Sequence, residues 1–172
     1  AVAEQMVLAA NSDALATVSL RPHLIVGPRD NHLLPRVVAR AAAGRLVCVG
    51  DGRNRVDLTY VDNAAKAHLD AAAALTRPNA AAAGKAYFLS NGEPVRIWTW
   101  INEVLHALDV PPVKRRIGRR VAHAIGFCME QTWRLLRLRS EPPMTRFLAA
   151  ALSRAHWYDI GPLRRDIGYQ PH

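Results

Sequence analysis

The sequence is poor in cysteine and has no long apolar run. Its two cysteines, Cys48 and Cys128, lie far apart along the chain, so neither a disulfide framework nor a CxxC metal site is indicated. We expect two reduced, buried thiols. The strongest apolar stretch, residues 121–129, contains His123 and is much shorter than the roughly 20 residues that span a bilayer. A transmembrane helix is therefore not expected.

Acidic residues are also scarce. The 14 Asp and Glu residues are outnumbered by 23 Lys and Arg residues, which gives a net charge of +9. Such a charge attracts nucleic acid, anionic lipid or acidic ligands. The basic residues do not form one compact run with interleaved aromatic side chains, and no nucleic-acid-reading motif accompanies them. We therefore expect no nucleic-acid partner.

Motifs for a self-sufficient active site are missing. Gly50-Asp51-Gly52 lacks the third glycine of a dinucleotide-binding loop and precedes a strand, so it predicts a turn. Arg53 and Arg55 occupy positions where a calcium loop needs oxygen ligands. The seven histidines have no metal-binding spacing, and no Gly-x-Ser-x-Gly segment presents a nucleophile. The chain is predicted to hold no metal site and no catalytic residue.

Short strands that alternate with helices predict an α/β fold. Strands are predicted at 17–20, 46–49, 56–61 and 85–90. Helices are predicted at 1–14, 33–43, 97–108, 119–138 and 144–152, with one more that is capped by Asp62 or Asn63 and continues to Leu75. The residues after 157 are predicted to form a final turn.

Three ordered blocks and the tail carry a family resemblance. They read LRPHLIVGP at 20–28, GDGRNRVDLTYVDNAAKAH at 50–68 and GKAYFLSNGEPV at 84–95, with EPPMTRF at 141–147, HWYD at 156–159 and DIGYQP at 166–171. Together they resemble the C-terminal part of an extended short-chain dehydrogenase/reductase of the NAD-dependent epimerase type. The likeness is strongest to the 3β-hydroxysteroid dehydrogenase branch, in particular to sterol-4α-carboxylate dehydrogenases and bacterial 2-alkyl-3-oxoalkanoate reductases.

The resemblance implies the C-terminal part of a Rossmann-type parallel sheet with a smaller α/β substrate-binding domain. On this reading, residues 1–27 end the Rossmann domain and 28–60 form a substrate-domain segment. Residues 61–90 then supply a Rossmann helix and the last strand, and 91–172 form the substrate-binding C-terminal domain.

The resemblance also implies a nicotinamide cofactor, NAD or NADP, held on an N-terminal glycine-rich loop that this chain lacks. In the family, a Tyr-x-x-x-Lys pair exchanges a proton with the substrate oxygen. Ala1-Val2-Ala3-Glu4 matches the segment that follows this Lys, so the pair is expected to precede Ala1 and the isolated chain to be an inactive fragment. Pro22, His23 and Leu24 are implied to contact the nicotinamide carboxamide; the alternative is a plain strand-to-loop turn.

The expected activity of the intact protein is an NAD(P)-dependent interconversion of a secondary alcohol and a ketone. Val56, Asp57 and Tyr60 are the candidate substrate residues. Nucleotide-sugar enzymes of the superfamily often have Arg where Val56 stands, and an apolar side chain cannot grip a pyrophosphate. A hydrophobic substrate is therefore expected, either 3β-hydroxysteroid-like or a long-chain β-keto or hydroxy acid, although Val56 packing in a strand is equally compatible.

Two rival functions remain open: a fragment of a nucleotide-sugar epimerase or dehydratase, and a non-enzymatic basic remnant that binds lipid or nucleic acid. The basic amphipathic helix at 119–138 has three interpretations: a cover for the substrate pocket, a peripheral contact with a membrane surface, or ordinary core packing with a solvated basic side. We expect a cytoplasmic protein, with membrane association and a homodimer of the intact form as further expectations.

Overall fold

The computed structural model describes residues 2–31 and 33–172. In chain order the elements are α1 (Val2–Ala9), β1 (Val18–Pro22), β2 (Ile25–Val26), α2 (Leu34–Ala42), β3 (Cys48–Val49), β4 (Arg55–Val56), β5 (Thr59–Tyr60), α3 (Val61–Leu75), β6 (Lys85–Leu89), β7 (Val95–Arg96), α4 (Ile97–Ala107), β8 (Arg116–Ile117), α5 (Arg119–Leu135), α6 (Arg146–Ser153) and α7 (Gly161–Ile167). The predicted α/β class is confirmed.

The chain divides into two compact units. The first unit consists of Ala1–Asp30, Asp57–Pro94 and Trp157–His172, and the second of Asn31–Val56 and Val95–His156. Residues 57–60 and 157–172 therefore belong to the first unit, although the predicted domain boundaries group them with the substrate-binding segments. The assignment of a cofactor role and a substrate role to separate domains stays a prediction.

Two parallel strand pairs organise the first unit. β1 pairs with β6 over five residues, from Val18 opposite Lys85 to Pro22 opposite Leu89, and β2 pairs with β5. Parallel strands need a long crossover connection, which here includes the helix α3. The strands predicted at 17–20 and 85–90 therefore pair in parallel, as predicted.

The core of the first unit is built on α3. Alanine is the strongest helix former, and alanines at spacings of three and four place one face of α3 against the sheet. Tyr87 and Leu89 contribute from β6. The buried members of this cluster are Ala64, Ala67, Ala71, Ala74, Ala82, Tyr87, Leu89, Ile160, Leu163, Ile167 and Tyr169. Small side chains on α3 thus let larger ones from neighbouring elements fill the core.

The tail prediction is wrong, because residues 161–167 form the helix α7 rather than a turn. Pro162 lies in its first turn, where a missing N–H costs nothing, and Gly168 ends it in the left-handed conformation with φ of 84°. Leu163 and Ile167 are buried, so packing of these two side chains stabilises a helix too short to persist alone.

The single strand predicted at 56–61 is also wrong. The segment forms two short strands, because Val56 pairs with Val95 whereas Thr59 pairs with Ile25. The helix α3 starts at Val61 with Tyr60 as its N-cap residue, so neither Asp62 nor Asn63 is the cap.

The second unit combines β3 and β8 in parallel, β4 and β7 antiparallel, and four helices. The helix α4 buries Ile97, Trp98, Ile101 and Leu105, of which Ile97, Ile101 and Leu105 recur every fourth residue on one face. The Trp98 indole N–H donates to the Leu152 carbonyl at 3.2 Å. This hydrogen bond satisfies a polar atom that would otherwise be buried without a partner.

The helix α5 buries its small residues. Ala122 and Gly126 are buried, whereas Val121, Ile125 and Leu135, which follow one line of the helix, are exposed. Cys128 is exposed as well, so the expectation of two buried thiols is wrong for this residue. The three interpretations of residues 119–138, including the membrane contact, stay predictions.

Candidate functional site

The predicted cofactor residues lie where the parallel strands of the first unit end. β1 ends at Pro22, opposite Leu89 at the end of β6. The backbone N–H of His23 donates to the Leu89 carbonyl at 3.1 Å. In open parallel sheets, ligands bind in the crevice beyond the carboxyl ends of the strands. The loop of residues 22–24 therefore occupies a position suited to ligand contact.

Thr59 holds this loop in place. Its hydroxyl lies 2.6 Å from the His23 carbonyl oxygen and 3.1 Å from the Leu89 carbonyl oxygen, and its backbone N–H donates to the Leu24 carbonyl at 3.2 Å. Thr59 is fully buried, and Leu24 has a positive φ of 39°, which is strained for a branched side chain. Residues 22–24 are thus fixed by hydrogen bonds from one buried residue that the sequence reading does not single out.

Aromatic and cationic side chains line the same strand ends. The Phe88 ring stacks on Tyr158 with centroids 3.9 Å apart, and His23 meets Tyr158 edge-on at 5.3 Å. The Arg21 guanidinium lies 5.2 Å from the centre of Phe88 and pairs with Glu4 at 2.6 Å. This cluster gives the loop an apolar wall with a charge at its margin.

Asp57 is a buried carboxylate with an unusual environment. One oxygen, Oδ2, accepts a hydrogen bond from the Tyr158 backbone N–H at 2.8 Å, whereas Oδ1 has no hydrogen-bond partner among the described residues. Asp57 also lines a cavity of about 320 Å³ whose wall includes Trp157 and Arg164. A buried polar atom without a partner is rare in folded proteins. Asp57 therefore fixes the segment that carries Tyr158 and keeps one oxygen available.

The other two candidate substrate residues differ in exposure. Val56 is 1% exposed, and Tyr60 is 37% exposed. The buried position of Val56 in β4 agrees with the packing alternative. Their roles towards a substrate stay predictions.

The backbone of Tyr60 is anchored by a side-chain network in the first unit. Its N–H donates to the Asn91 side-chain oxygen at 3.0 Å, and the Asn63 side chain donates to the same oxygen at 3.0 Å. Asn63 is also bonded to the backbone of His172 through both its amide nitrogen and its oxygen. The segment that contains Tyr60 is thereby connected to the last residue of the chain.

Gly27 permits a close approach beside this site. A Cβ atom at this position would lie 2.5 Å from Cγ1 of Val61 and 3.2 Å from the Tyr60 ring. Its φ of 150° also disfavours a side chain. Gly27 is thus a position that requires glycine.

Tyr87 lies near Lys85, but it has a structural role and not a catalytic one. The Tyr87 hydroxyl donates to Asp166 at 2.6 Å, and the Lys85 ammonium donates to the same carboxylate oxygen at 2.9 Å. Burial and the hydrogen bond to Asp166 raise the pKa of Tyr87, while the hydrogen bonds from Tyr87 and Lys85 lower the pKa of Asp166. A phenol whose pKa is raised is a poor proton donor at neutral pH. Tyr87 anchors α7 to β6 instead.

The described part of the chain contains neither a cluster of metal ligands nor a membrane-spanning helix. Among residues 2–31 and 33–172, no group of three His, Cys, Asp or Glu side chains is arranged to hold a metal ion. Within these ranges, no helix is both long and apolar enough to cross a membrane.

The fold is of the Rossmann type found in related solved structures. The dTDP-glucose 4,6-dehydratase DesIV from Streptomyces venezuelae, whose structure contains NAD, superposes with a TM-score of 0.61 at 18% identity. The match covers 98% of this chain and 43% of that one. At this identity the likeness establishes the fold alone.

The sequence comparisons define the family. The family model described as "3-beta hydroxysteroid dehydrogenase/isomerase family" matches residues 1–117. The chain therefore belongs to the 3-beta hydroxysteroid dehydrogenase/isomerase family, as its ordered motifs predict.

Two curated relatives are similar to the chain over nearly its whole length. It is 56% identical to the 2-alkyl-3-oxoalkanoate reductase of Stenotrophomonas maltophilia, over 99% of this chain and 52% of that protein. It is 31% identical to the decarboxylating sterol-4-alpha-carboxylate 3-dehydrogenase of Mus musculus, over 98% of this chain and 48% of that protein. The chain spans about half the length of these relatives.

Proposed function

We propose that the protein, at the full length of its relatives, is an NAD(P)-dependent oxidoreductase that reduces the ketone of a long-chain 2-alkyl-3-oxo acid. The observation that carries this proposal is the loop of residues 22–24, held by Thr59 at the carboxyl ends of two parallel strands. The 56% identity to a 2-alkyl-3-oxoalkanoate reductase supports the substrate class.

The residues of the loop fit a nicotinamide carboxamide. The backbone groups of residues 22–24 are of the kind that the N–H and C=O of a carboxamide can pair with, and the Thr59 hydroxyl fixes this loop through the His23 carbonyl. Because the loop is already fixed, little conformational entropy is lost when a ligand binds. When bound, the nicotinamide supplies the hydride. Pro22, His23 and Leu24 would hold and orient its carboxamide.

The neighbouring side chains would shape the crevice. The stack of Phe88 and Tyr158 excludes water from one side of the loop, and Asp57 holds the Tyr158 backbone in position. A water-poor crevice strengthens the electrostatic interactions inside it. The expected Tyr-x-x-x-Lys pair would give its proton to the carbonyl oxygen as hydride reaches the carbonyl carbon, so the C=O bond becomes a secondary alcohol.

A hydrophobic substrate is supported over a nucleotide sugar by Val56. This position lacks the guanidinium that recognises phosphate through paired, charge-assisted hydrogen bonds. The names of the curated relatives refer to oxoalkanoates and sterol carboxylates, both of which combine an apolar body with an acid group.

The test is a set of three steady-state assays on the full-length protein: NADH or NADPH oxidation with a 2-alkyl-3-oxo acid, NAD or NADP reduction with a 3β-hydroxysterol carboxylate as the family control, and product analysis with a uridine diphosphate sugar, whose epimerisation leaves the cofactor unchanged overall. We expect turnover with the 2-alkyl-3-oxo acid and none with the uridine diphosphate sugar. The 172-residue chain alone is expected to show no turnover. Turnover with the nucleotide sugar only, or no cofactor binding by a folded full-length protein, would contradict the proposal.

A further inference from the structure

A cationic cleft lies between α5 and α6 of the second unit. Its volume is about 490 Å³, within the range of pockets that hold small organic ligands. Arg119, Arg120, His123 and Arg154 contribute basic groups to its lining. The remaining lining residues are Phe127 and three alanines, Ala124, Ala149 and Ala150. The cleft thus combines a basic rim with an apolar wall and has no acidic lining residue.

The nearby acidic side chains are already paired elsewhere. Glu130 lies 2.7 Å from the Arg146 guanidinium and accepts a second hydrogen bond from the Arg146 backbone at 2.8 Å. These two bonds, the backbone one foremost, lower the pKa of Glu130. Glu141 lies 3.6 Å from Arg36. The acids of this region therefore leave the cleft with an excess of positive charge.

The arginines of the cleft have no such partner. Within residues 2–31 and 33–172, no carboxylate lies within ion-pair distance of Arg119, Arg120 or Arg154. Guanidinium groups are the preferred partners of carboxylates, because their planar N–H groups match the two carboxylate oxygens. Three of them around one cleft repel each other until an anion binds, which favours an anionic ligand.

The apolar wall restricts the kind of anion. Phe127 is 46% exposed, and its ring is covered by the Arg146 guanidinium at 5.3 Å. A small inorganic anion would leave this ring, Ala124 and Ala150 in contact with water. An alkyl chain attached to the anionic group would instead cover all three and gain hydrophobic free energy in proportion to the buried area.

We propose that this cleft binds the carboxylate end of a long-chain acid, with Arg119, Arg120 and Arg154 around the carboxylate and Phe127 along the alkyl chain. The identification of this acid with the protein's own substrate rests on the proposed function. The cleft itself is defined by side chains of the second unit alone.

The binding test uses laurate below its micellar concentration, measured by calorimetry with the full-length protein. The variants are Arg154→Gln and the double variant Arg119→Gln/Arg120→Gln, which remove charge and keep most of the side-chain length. Arg139→Gln is the matched control, because Arg139 is an exposed arginine outside the cleft. Thermal melting establishes that each variant is folded.

We expect the laurate Kd to rise about tenfold or more in both cleft variants, since loss of a charge-assisted pair costs at least that much in affinity. The control should stay within about twofold. Dodecanol, which has the same alkyl chain without the charge, should bind more weakly than laurate, and its Kd should be the same in all the variants. Equal binding of laurate and dodecanol, or an equal loss in the control, would overturn the proposal.

Two further arms separate the possible failures. Binding only to phosphatidylglycerol vesicles, with no affinity for free laurate, would identify a membrane surface as the ligand and refute the free-acid site. The cleft proposal would be refuted, and the proposed function left intact, if the protein bound no laurate and both cleft variants turned over the 2-alkyl-3-oxo acid with an unchanged KM. Arginine-dependent laurate binding without any turnover would support the cleft and contradict the proposed function.

Discussion

Replacing Thr59 by valine tests whether one buried hydroxyl fixes the cofactor loop. The substitution conserves volume and removes the hydrogen bond to the His23 carbonyl at 2.6 Å and the contact with the Leu89 carbonyl at 3.1 Å. The Leu89 oxygen still accepts from the His23 N–H, so the main cost is the hydrogen bond that the His23 carbonyl loses. Removal of one partner from a hydrogen bond that is shielded from water costs about 1–3 kcal/mol.

We therefore expect Thr59→Val to lower the free energy of unfolding by about 2 kcal/mol, measured by urea titration, and the melting temperature by roughly 4–8 °C. Thr59→Ser keeps the hydroxyl and should lose about 1 kcal/mol, the value of one buried methyl group. Thr132→Val is the matched control, because the Thr132 hydroxyl donates to the exposed Cys128 carbonyl and water can replace it. A Thr59→Val protein as stable as the wild type, or a control that loses as much, would refute the reasoning.

Two further predictions concern other parts of the chain. In Gly126→Ala, the new methyl group would lie 2.6 Å from the Thr145 carbonyl carbon. We therefore expect the free energy of unfolding to fall by about 1–3 kcal/mol, despite the better helix propensity of alanine. Urea titration measures this change, and an unchanged midpoint would show that α6 shifts freely. The pKa of Glu4 is lowered to about 2, first by its hydrogen bond from Arg21, so its contribution to stability is present above the ordinary pKa of 4.5 and is lost as the pH falls towards 2. Melting temperatures between pH 5 and pH 2 should therefore fall more steeply in the wild type than in Glu4→Gln, and parallel curves would contradict this assignment.

Local patterns in the sequence identify the regular elements well. Ile97, Ile101 and Leu105 recur every fourth residue of the helix predicted at 97–108, and they are buried on one face of α4. The parallel pair β1 and β6 follows from two β-rich runs separated by helical sequence. These features depend on residues that are close in the chain, where periodicity carries the information.

Features that depend on distant residues were not predictable in the same way. The helix α5 turns Ala122 and Gly126 inward because the α6 backbone approaches too closely for a larger side chain. Asp57, between β4 and β5, accepts a hydrogen bond from the Tyr158 backbone, far along the chain. Neither pairing has a signature in the local sequence, so a rule that places large apolar residues inside fails for α5.

The candidate site shows the same division. The resemblance directs attention to Pro22, His23 and Leu24, and the structure places this loop at the strand ends. Thr59, which holds the loop, is one hydroxyl within a β-rich run and carries no motif of its own. Its role depends on the pairing of β2 with β5, which only the folded chain brings about.

The order in which the two units are completed along the chain has a consequence for folding during synthesis. The second unit is complete once residue 156 has been made, whereas the first unit needs Tyr169, which is fully buried and whose hydroxyl donates to the Ser90 carbonyl at 3.1 Å. Because domains fold as units while the chain emerges from the ribosome, the second unit can fold first. The core cluster of the first unit then lacks its side chains from residues 160–169 until α7 leaves the exit tunnel. Slow translation of residues 157–169 would lengthen the interval in which this incomplete core can associate with that of another nascent chain.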